Sequence, residues 1–551
     1  MANVTRRQAL AALGCFGAGF GLSGCAAPIV PFCPGDPTIS DPDTPLTIDV
    51  HTHVFNGSDL QIYGFYNYVV ARKIDPQILA VILKMLGKDF APTAHEELTA
   101  LVEVEVALRG CNGRTFIQIL TSHAQDRYDR FLSALKAARN EVRAQRFARS
   151  STSRRIDNFI DALPPDYSQF QRNRAHLALA DPVLSGEFAF VLRNFQYRYV
   201  NVYDYLMEYS TGRSRKIDIM VAHLVDFDWP LGGGDYTTSH LIDQFRVMDK
   251  ISQITGGRVL CFAPFDPFKE VAYQLGLTTE SSLQNVQTAI LYHGFVGVKI
   301  YPPMGFAPFG NATMPKGFWN QTWLPTSLRG RDLGNLLDQA LAELYVWCVK
   351  NGVPIMGHSS RTSGPSDAFQ DLAGAQYWGP IPDGLAGIRI DYGHFGLKDL
   401  STKDQERHLA SYMDVANGSY LYADSGYFAE VLSQEPSLEG FLATLYRETA
   451  NKGDAALAQR LMYGTDWEMI VREGDTSGDY LTKFEKMYAA LDHHHTGAKG
   501  KLSDRFFGVN AATYLGLGPN QRTRMRLDKY YSTSSKPAWM AKVDRIPTAF
   551  S

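Results

Sequence analysis

Cysteine is scarce in this chain, and no two cysteines stand in a Cys-x-x-Cys pair. Only Cys15, Cys25, Cys33, Cys111, Cys261 and Cys348 occur in 551 residues. A cysteine-built zinc site is therefore not expected, and Cys261 and Cys348, set in apolar patterns, read as buried thiols. Excess charge is also lacking. Lys and Arg total 54 against 57 Asp and Glu, a net charge of -3. No global field points to nucleic acid or to strongly acidic partners. Internal repeats and long low-complexity tracts are absent. No apolar run is long enough to cross a bilayer as a permanent helix. What remains is an ordinary globular composition, 45% hydrophobic and 20% charged. The length exceeds one minimal domain, yet a single barrel with insertions would absorb it.

The first 25 residues read as an export signal. Thr5-Arg6-Arg7-Gln8 carries adjacent arginines, a small apolar stretch follows over 9–21, and Leu22-Ser23-Gly24-Cys25 closes it. The arginine pair resembles a twin-arginine signal and the last four residues resemble a lipobox. The expectation is a periplasmic or cell-surface lipoprotein, attached to the membrane through Cys25. An uncleaved anchor or a cytosolic tail is the plainer alternative. Residues 26–45, rich in Pro, Asp and Thr, read as a flexible tether.

The grammar of the remaining chain changes at about 215. Residues 56–214 show helical periodicity over 75–86, 94–108, 115–155 and 187–209, the last rich in aromatics. That aromatic stripe reads as packing between helices. The basic run over 139–155 reads as a solvated helix face, or as a face for an anionic membrane surface. Beyond 215, short apolar strands at 217–227, 258–264, 296–301, 353–358, 388–394, 420–424 and 461–466 alternate with helical stretches such as 283–292, 333–350 and 438–448. With the strand at 46–55 these make eight. Such alternation predicts an α/β fold, a (β/α)8 TIM barrel formed by 46–55 and 215–518. The 56–214 segment is then a large helical insertion after strand 1, placed to cap the barrel mouth, and 519–551 is a C-terminal tail.

Several strands end abruptly in residues able to hold a metal. Strand 1 ends in His51-Thr52-His53, two imidazoles a strand step apart and on one face. Strand 5 ends in Gly357-His358, strand 6 in Gly393-His394-Phe395-Gly396 and strand 8 in Tyr463-Gly464-Thr465-Asp466. A barrel gathers its strand ends into one ring, so three histidines and a carboxylate there suit a divalent cation. His223 reads as a core histidine or one supporting a ligand. The run His493-His494-His495 reads as an exposed loop. Asp424 and Tyr427 are candidates for lining the pocket or for hydrogen bonding behind it.

These motifs, with Gly294-Phe295-Val296-Gly297-Val298-Lys299 and Phe506-Phe507-Gly508-Val509-Asn510-Ala511-Ala512, resemble the amidohydrolase superfamily. The nearer likeness is its amidohydrolase-related group, which includes aminocarboxymuconate semialdehyde decarboxylase. The resemblance covers about 46–520. It implies His51, His53, His358 and Asp466 as metal ligands, His394 as the catalytic histidine, and Asp466 as proton acceptor too. His394 as a fourth histidine ligand is the alternative. The expected cofactor is one divalent ion rather than two, zinc first, with manganese or iron as alternatives. Lys299 is expected to contact substrate, to bridge two metals as a carbamate, or to serve structurally. Arg361 is a second candidate anion anchor. The implied activity is hydrolysis of a small organic substrate by a metal-activated water. Non-oxidative decarboxylation of an unsaturated or aromatic acid is the alternative enzyme, and an inactive barrel acting as a binding lipoprotein is the alternative of another class. Self-association into a homo-oligomer is compatible with the sequence.

Overall fold

The computed structural model describes residues 43–547, except 55, 66–67, 70–90, 110–112, 145–150, 173–194, 210–212, 382–384, 397–405, 408–409, 411–419, 471–477 and 532–535. The export signal, Cys25, most of the tether and the 75–86 periodicity lie outside the described residues.

Eight strands follow one another around a single parallel sheet, in chain order. They are β1 (Ile48–Thr52), β2 (Ile219–His223), β3 (Val259–Pro264), β4 (Gly297–Ile300), β5 (Ile355–His358), β6 (Arg389–Gly393), β7 (Tyr420–Asp424) and β8 (Leu461–Met462). Neighbouring strands pair in parallel from β1 through β8. The ring is drawn together by Val50 N donating to Tyr463 O (3.0 Å) and Asp466 N donating to His51 O (2.6 Å). The architecture is the expected (β/α)8 barrel. Its strands are shorter than the apolar runs, because ladder pairing stops where the chain turns away at the mouth. β8 is the extreme case: only Leu461 and Met462 pair with β7.

Strand alternation splits the apolar residues between two clusters. Ile219, Val221, Leu260, Phe262, Met356, Tyr422 and Met462 fill the barrel interior with Ile48 and Val50. Met220, Ala222, Cys261, Val298, Ile355 and Leu421 face the helices. Strict alternation would turn Val50 away from the face that His51 uses. The β1–β2 register shifts between Asp49 and Thr52. A bulge of this kind re-aims side chains, so Val50 joins the interior cluster while His51 also reaches the mouth.

The described insertion helices are α1 (Ala94–Arg109), α2 (Gly113–Ala144), α3 (Ser151–Ala162) and α4 (Arg198–Glu208), besides shorter turns. The aromatic stretch is helical only from Arg198 in its described part, with Tyr197 extended (φ -60°, ψ 127°) ahead of it. Of the barrel helices, α5 (Leu241–Ile254), α6 (Pro267–Gln274) and α7 (Ser282–Tyr292) lie between β2 and β4. α6 starts where the Asp266 side chain accepts from Phe268 N and Pro267 fills the first turn. α8 (Leu333–Asn351) ends at Gly352, whose φ of 59° suits glycine. α9 (Glu435–Thr449) and α10 (Tyr480–Leu491) flank β8.

The 519–551 segment is no loose tail in its described part. It forms α11 (Arg522–Tyr530) and α12 (Ala538–Asp544). Trp539, Met540 and Val543 join the interior cluster. Trp539 Nε1 donates to Gly257 O (2.8 Å), and Lys542 Nζ donates to Asp218 Oδ1 (2.7 Å). Gly257 and Asp218 precede β3 and β2, so this segment closes the bottom of the barrel.

Candidate metal centre

His51, His394 and Asp466 each present a ligand atom within 4.8 Å of the others, and all three are buried. They come from the C-terminal ends of β1, β6 and β8, the face where barrels of this class carry their chemistry. His53 joins them, its Nε2 3.5 Å from Asp466 Oδ1, while His51 Nε2 lies 4.0 Å from the same oxygen.

Hydrogen bonds fix which nitrogen of each ring carries the proton. His51 Nδ1 donates to the Asp424 carboxylate, at 2.9 and 3.1 Å from its two oxygens. His53 Nδ1 donates to His223 O (2.9 Å), and His394 Nδ1 donates to Gly426 O (2.9 Å). Carbonyl and carboxylate oxygens only accept. Each Nδ1 therefore carries the proton, and each Nε2 keeps its lone pair. This carboxylate-or-carbonyl, histidine arrangement is the usual support behind a metal-ligating imidazole.

Burial keeps these rings neutral. It lowers His53 to about 3 and His394 to about 4, and pushes His51 and His358 well below the ordinary imidazole value; Lys299 adds to all four shifts. Neutral imidazole is the ligand form. Burial raises Asp466 to about 7, opposed by Lys299. Among the described residues, Asp466 Oδ1 is buried with no hydrogen-bond partner. An orphaned carboxylate oxygen facing unprotonated imidazole nitrogens is costly without a cation and satisfied by one. The donor set thus fits a divalent ion.

His358 takes a different posture. Its Nδ1 lies 2.9 Å from His394 Nε2, and its Nε2 lies 3.1 Å from Ser360 Oγ. Two nitrogens on one zinc stand roughly 3.3 Å apart, from bond lengths near 2.05 Å. The His358–His394 pair is therefore a hydrogen bond here, at a spacing close to that of shared ligation. Of the five expected residues, the structure brings all to one mouth. The tightest convergence includes His394 and leaves His358 against it.

Glycine makes the approach feasible. A Cβ on Gly464 would stand 2.8 Å from His51 Cβ, and one on Gly426 would meet the His51 ring. Four residues at the tips adopt left-handed backbone: His394 (φ 64°), Phe395 (φ 45°), Tyr427 (φ 57°) and Asp466 (φ 51°). Such conformations are rare for residues with a Cβ and persist where the surroundings impose them.

Lys299 is buried on β4, its Nζ 3.5 Å from His51 Nε2 and 2.7 Å from Met356 Sδ. Burial lowers it to about 8, against the pull of Asp424, Asp466 and Asp391. Arg361 is half-exposed and pairs with Asp371 (2.9 Å). His223 Nε2 donates to Val50 O (2.7 Å), and its own carbonyl orients His53, so it stands behind the ligands. His493, His494 and His495 are exposed. Asp424 holds His51 and also accepts from His394 N (3.1 Å) and Gly426 N (2.7 Å). An apolar wall adjoins the cluster. The Tyr301 ring lies 4.7 Å from that of His358 and 5.6 Å from that of Phe227. Tyr68 and Val69 of the insertion pack into the same group with Leu231 and Met304.

Sequence reasoning missed Asp49 and Tyr205. Asp49 accepts from Tyr205 OH (2.7 Å), Thr465 Oγ1 (2.6 Å), Thr465 N (3.0 Å) and His51 N (3.1 Å). The available signal was chemical: a tyrosine within a buried aromatic stripe needs an acceptor for its hydroxyl.

No family model matches the chain, and no curated protein matches it. Among solved structures, a similar one is that of a probable 2-pyrone-4,6-dicarboxylic acid hydrolase from Acinetobacter baumannii, with citric acid bound. It is 12% identical, covers 59% of this chain and 90% of its own, and gives a TM-score of 0.33. So slight a likeness carries no argument here.

Proposed function

We propose that this protein is a metal-dependent hydrolase of a small organic molecule, working at the barrel mouth in the manner of the amidohydrolase superfamily. The observation that carries this reading is the orphaned Asp466 oxygen facing the unprotonated nitrogens of His51 and His53, with His394 in the same cluster. A divalent cation bound there would polarise a carbonyl and lower the pKa of a water. Asp466, buried beside the ligand nitrogens, is the acceptor for the proton that such a water gives up. His394 and His358, joined at 2.9 Å, stand beside this acceptor at the mouth. Tyr301, Phe227 and the insertion residues Tyr68 and Val69 limit water at one side of the mouth, which supports a capping role for the insertion.

Non-oxidative decarboxylation is the second reading, and Lys299 favours it. A buried ammonium next to His51 is placed to hold a substrate carboxylate. The test is metal analysis of protein prepared without chelators, followed by assays of ester, lactone and amide hydrolysis beside carbon dioxide release from a panel of acids. Hydrolysis that needs metal and is abolished in His51→Ala supports the first reading. Carbon dioxide release with no hydrolysis replaces it with the second. A metal-free protein indifferent to His51→Ala is an inactive barrel. Export and lipid attachment at Cys25 complete the proposal, resting on the order of the arginine pair, apolar stretch and lipobox-like residues. Absence of fatty acid on the wild-type protein in cells would rule the attachment out.

A further inference from the structure

One insertion helix grips both neighbours of Asp466. On the N-terminal side, Thr465 is held by Asp49, which accepts its N–H (3.0 Å) and its hydroxyl (2.6 Å). Asp49 in turn accepts from the hydroxyl of Tyr205 on α4 (2.7 Å). On the C-terminal side, Trp467 Nε1 donates to Glu208 Oε2, also on α4 (3.1 Å). The Tyr205 and Trp467 rings meet edge to face, 5.3 Å apart at 82°. Asp466 itself donates its N–H to His51 O and adopts a left-handed backbone (φ 51°).

The other end of α4 is anchored just as firmly. Arg198 donates from Nε and from its backbone N to Glu97 of α1, at 2.9 and 2.8 Å. Its Nη2 donates to Asp59 (2.9 Å), shortly after β1. The helix is thus fixed to the chain leaving β1 and to the chain leaving β8. It spans the two tips that carry His51, His53 and Asp466. An unfavourable backbone at Asp466 needs surroundings that over-determine it, and α4 supplies the contacts on both flanks.

We propose that α4 is the positioning element for Asp466, with Tyr205 and Glu208 as positioning residues, so that the insertion sets the metal affinity of the barrel mouth. The inference rests on the metal-site reading above. It adds that the insertion is part of the site's construction as well as a cover over it. Tyr205 acts through Asp49 on Thr465, and Glu208 acts through Trp467, the two residues that flank Asp466.

The test uses the full chain, with Co2+ as the probe. Visible absorption reports the ligand field and a titration reports affinity. Tyr205→Phe keeps the ring and removes only the hydroxyl. Glu208→Ala removes the indole acceptor, and Glu208→Gln restores it through the amide oxygen. Tyr205→Phe and Glu208→Ala are each expected to weaken Co2+ by about tenfold, the lower end of the loss seen for supporting residues behind metal ligands. Both should alter the absorption bands, and Glu208→Gln should return affinity and bands to those of the wild type. Wild-type affinity and spectrum in both Tyr205→Phe and Glu208→Ala would overturn the proposal, whatever happens to their melting temperatures. Should Tyr205→Phe fail to fold, the Glu208 pair carries the same decision alone. If the wild type itself takes up no Co2+, the metal-site reading fails first, an outcome distinct from normal uptake by wild type and variants alike.

Discussion

Asp424 decides which nitrogen of His51 faces the mouth. Its carboxylate accepts from Nδ1 at 2.9 Å, and its Oδ1 also accepts from two backbone N–H groups. Replacing it by asparagine leaves one oxygen and introduces an amide that can donate to Nδ1, inviting the wrong tautomer. Asp424→Asn is expected to weaken metal binding by about 10- to 100-fold, read by competition with a chromophoric chelator. Gly464→Ala tests crowding rather than charge. Its Cβ would stand 2.8 Å from His51 Cβ, so a loss of about 1–3 kcal/mol is expected, typical of overpacking, and chemical denaturation would measure it. The ligands themselves were legible in the sequence because metals accept few residue types, and His51, His53, His358, His394 and Asp466 each end an apolar run. The role of Asp49 was not legible. It depends on Thr465 lying across the β1–β8 seam and on Tyr205 arriving from the insertion, and neither distance is written in local pattern.

At the scale of elements, the docking of α4 rests on a buried ionic group that ought to respond to pH. Arg198, Glu97 and Asp59 are buried together. Burial raises Glu97 to about 7, from an ordinary 4.5, while Arg198 pulls it down. The folded protein therefore holds this proton more tightly than the unfolded chain does. The stabilisation from Glu97 is full below about pH 4.5 and is lost as pH rises through about 7. Glu97→Gln cannot titrate. The melting temperature of Glu97→Gln minus that of the wild type should therefore grow more positive between pH 5 and pH 7. A flat or falling difference would show that the carboxylate stays ionised throughout. Removing the cation is harsher: Arg198→Ala strands two buried acids and is expected to cost about 3–5 kcal/mol. Periodicity located α1 and α8 to within a residue or two because their apolar stripes are regular. It overran β2 and β8 because apolar side chains continue after ladder pairing ends, and the bulge at Asp49–Thr52 leaves no mark in a two-residue alternation.

Across the whole molecule, the barrel separates a chemical end from a structural end. The mouth gathers His51, His394 and Asp466, while the bottom is closed by α11 and α12. That closing segment read as a tail because its sequence is polar, with its apolar residues spread thinly over Leu527, Tyr531, Trp539, Met540 and Val543. Only the barrel's open end explains why those few are buried. Trp539 is fully buried and donates to Gly257 O ahead of β3. Trp539→Ala removes a large side chain from a packed site and is expected to cost about 3–5 kcal/mol. The ligands hang from the opposite strand ends, and their orienting bonds run to His223 and Asp424, the last residues of β2 and β7, and to Gly426 just beyond. Trp539→Ala should therefore melt at a clearly lower temperature yet, below that temperature, bind Co2+ as the wild type does. Measuring both quantities on one preparation makes the separation testable. A parallel fall in Co2+ affinity would mean that strain at the bottom of the barrel reaches the strand tips, and the two ends would have to be treated as one cooperative unit.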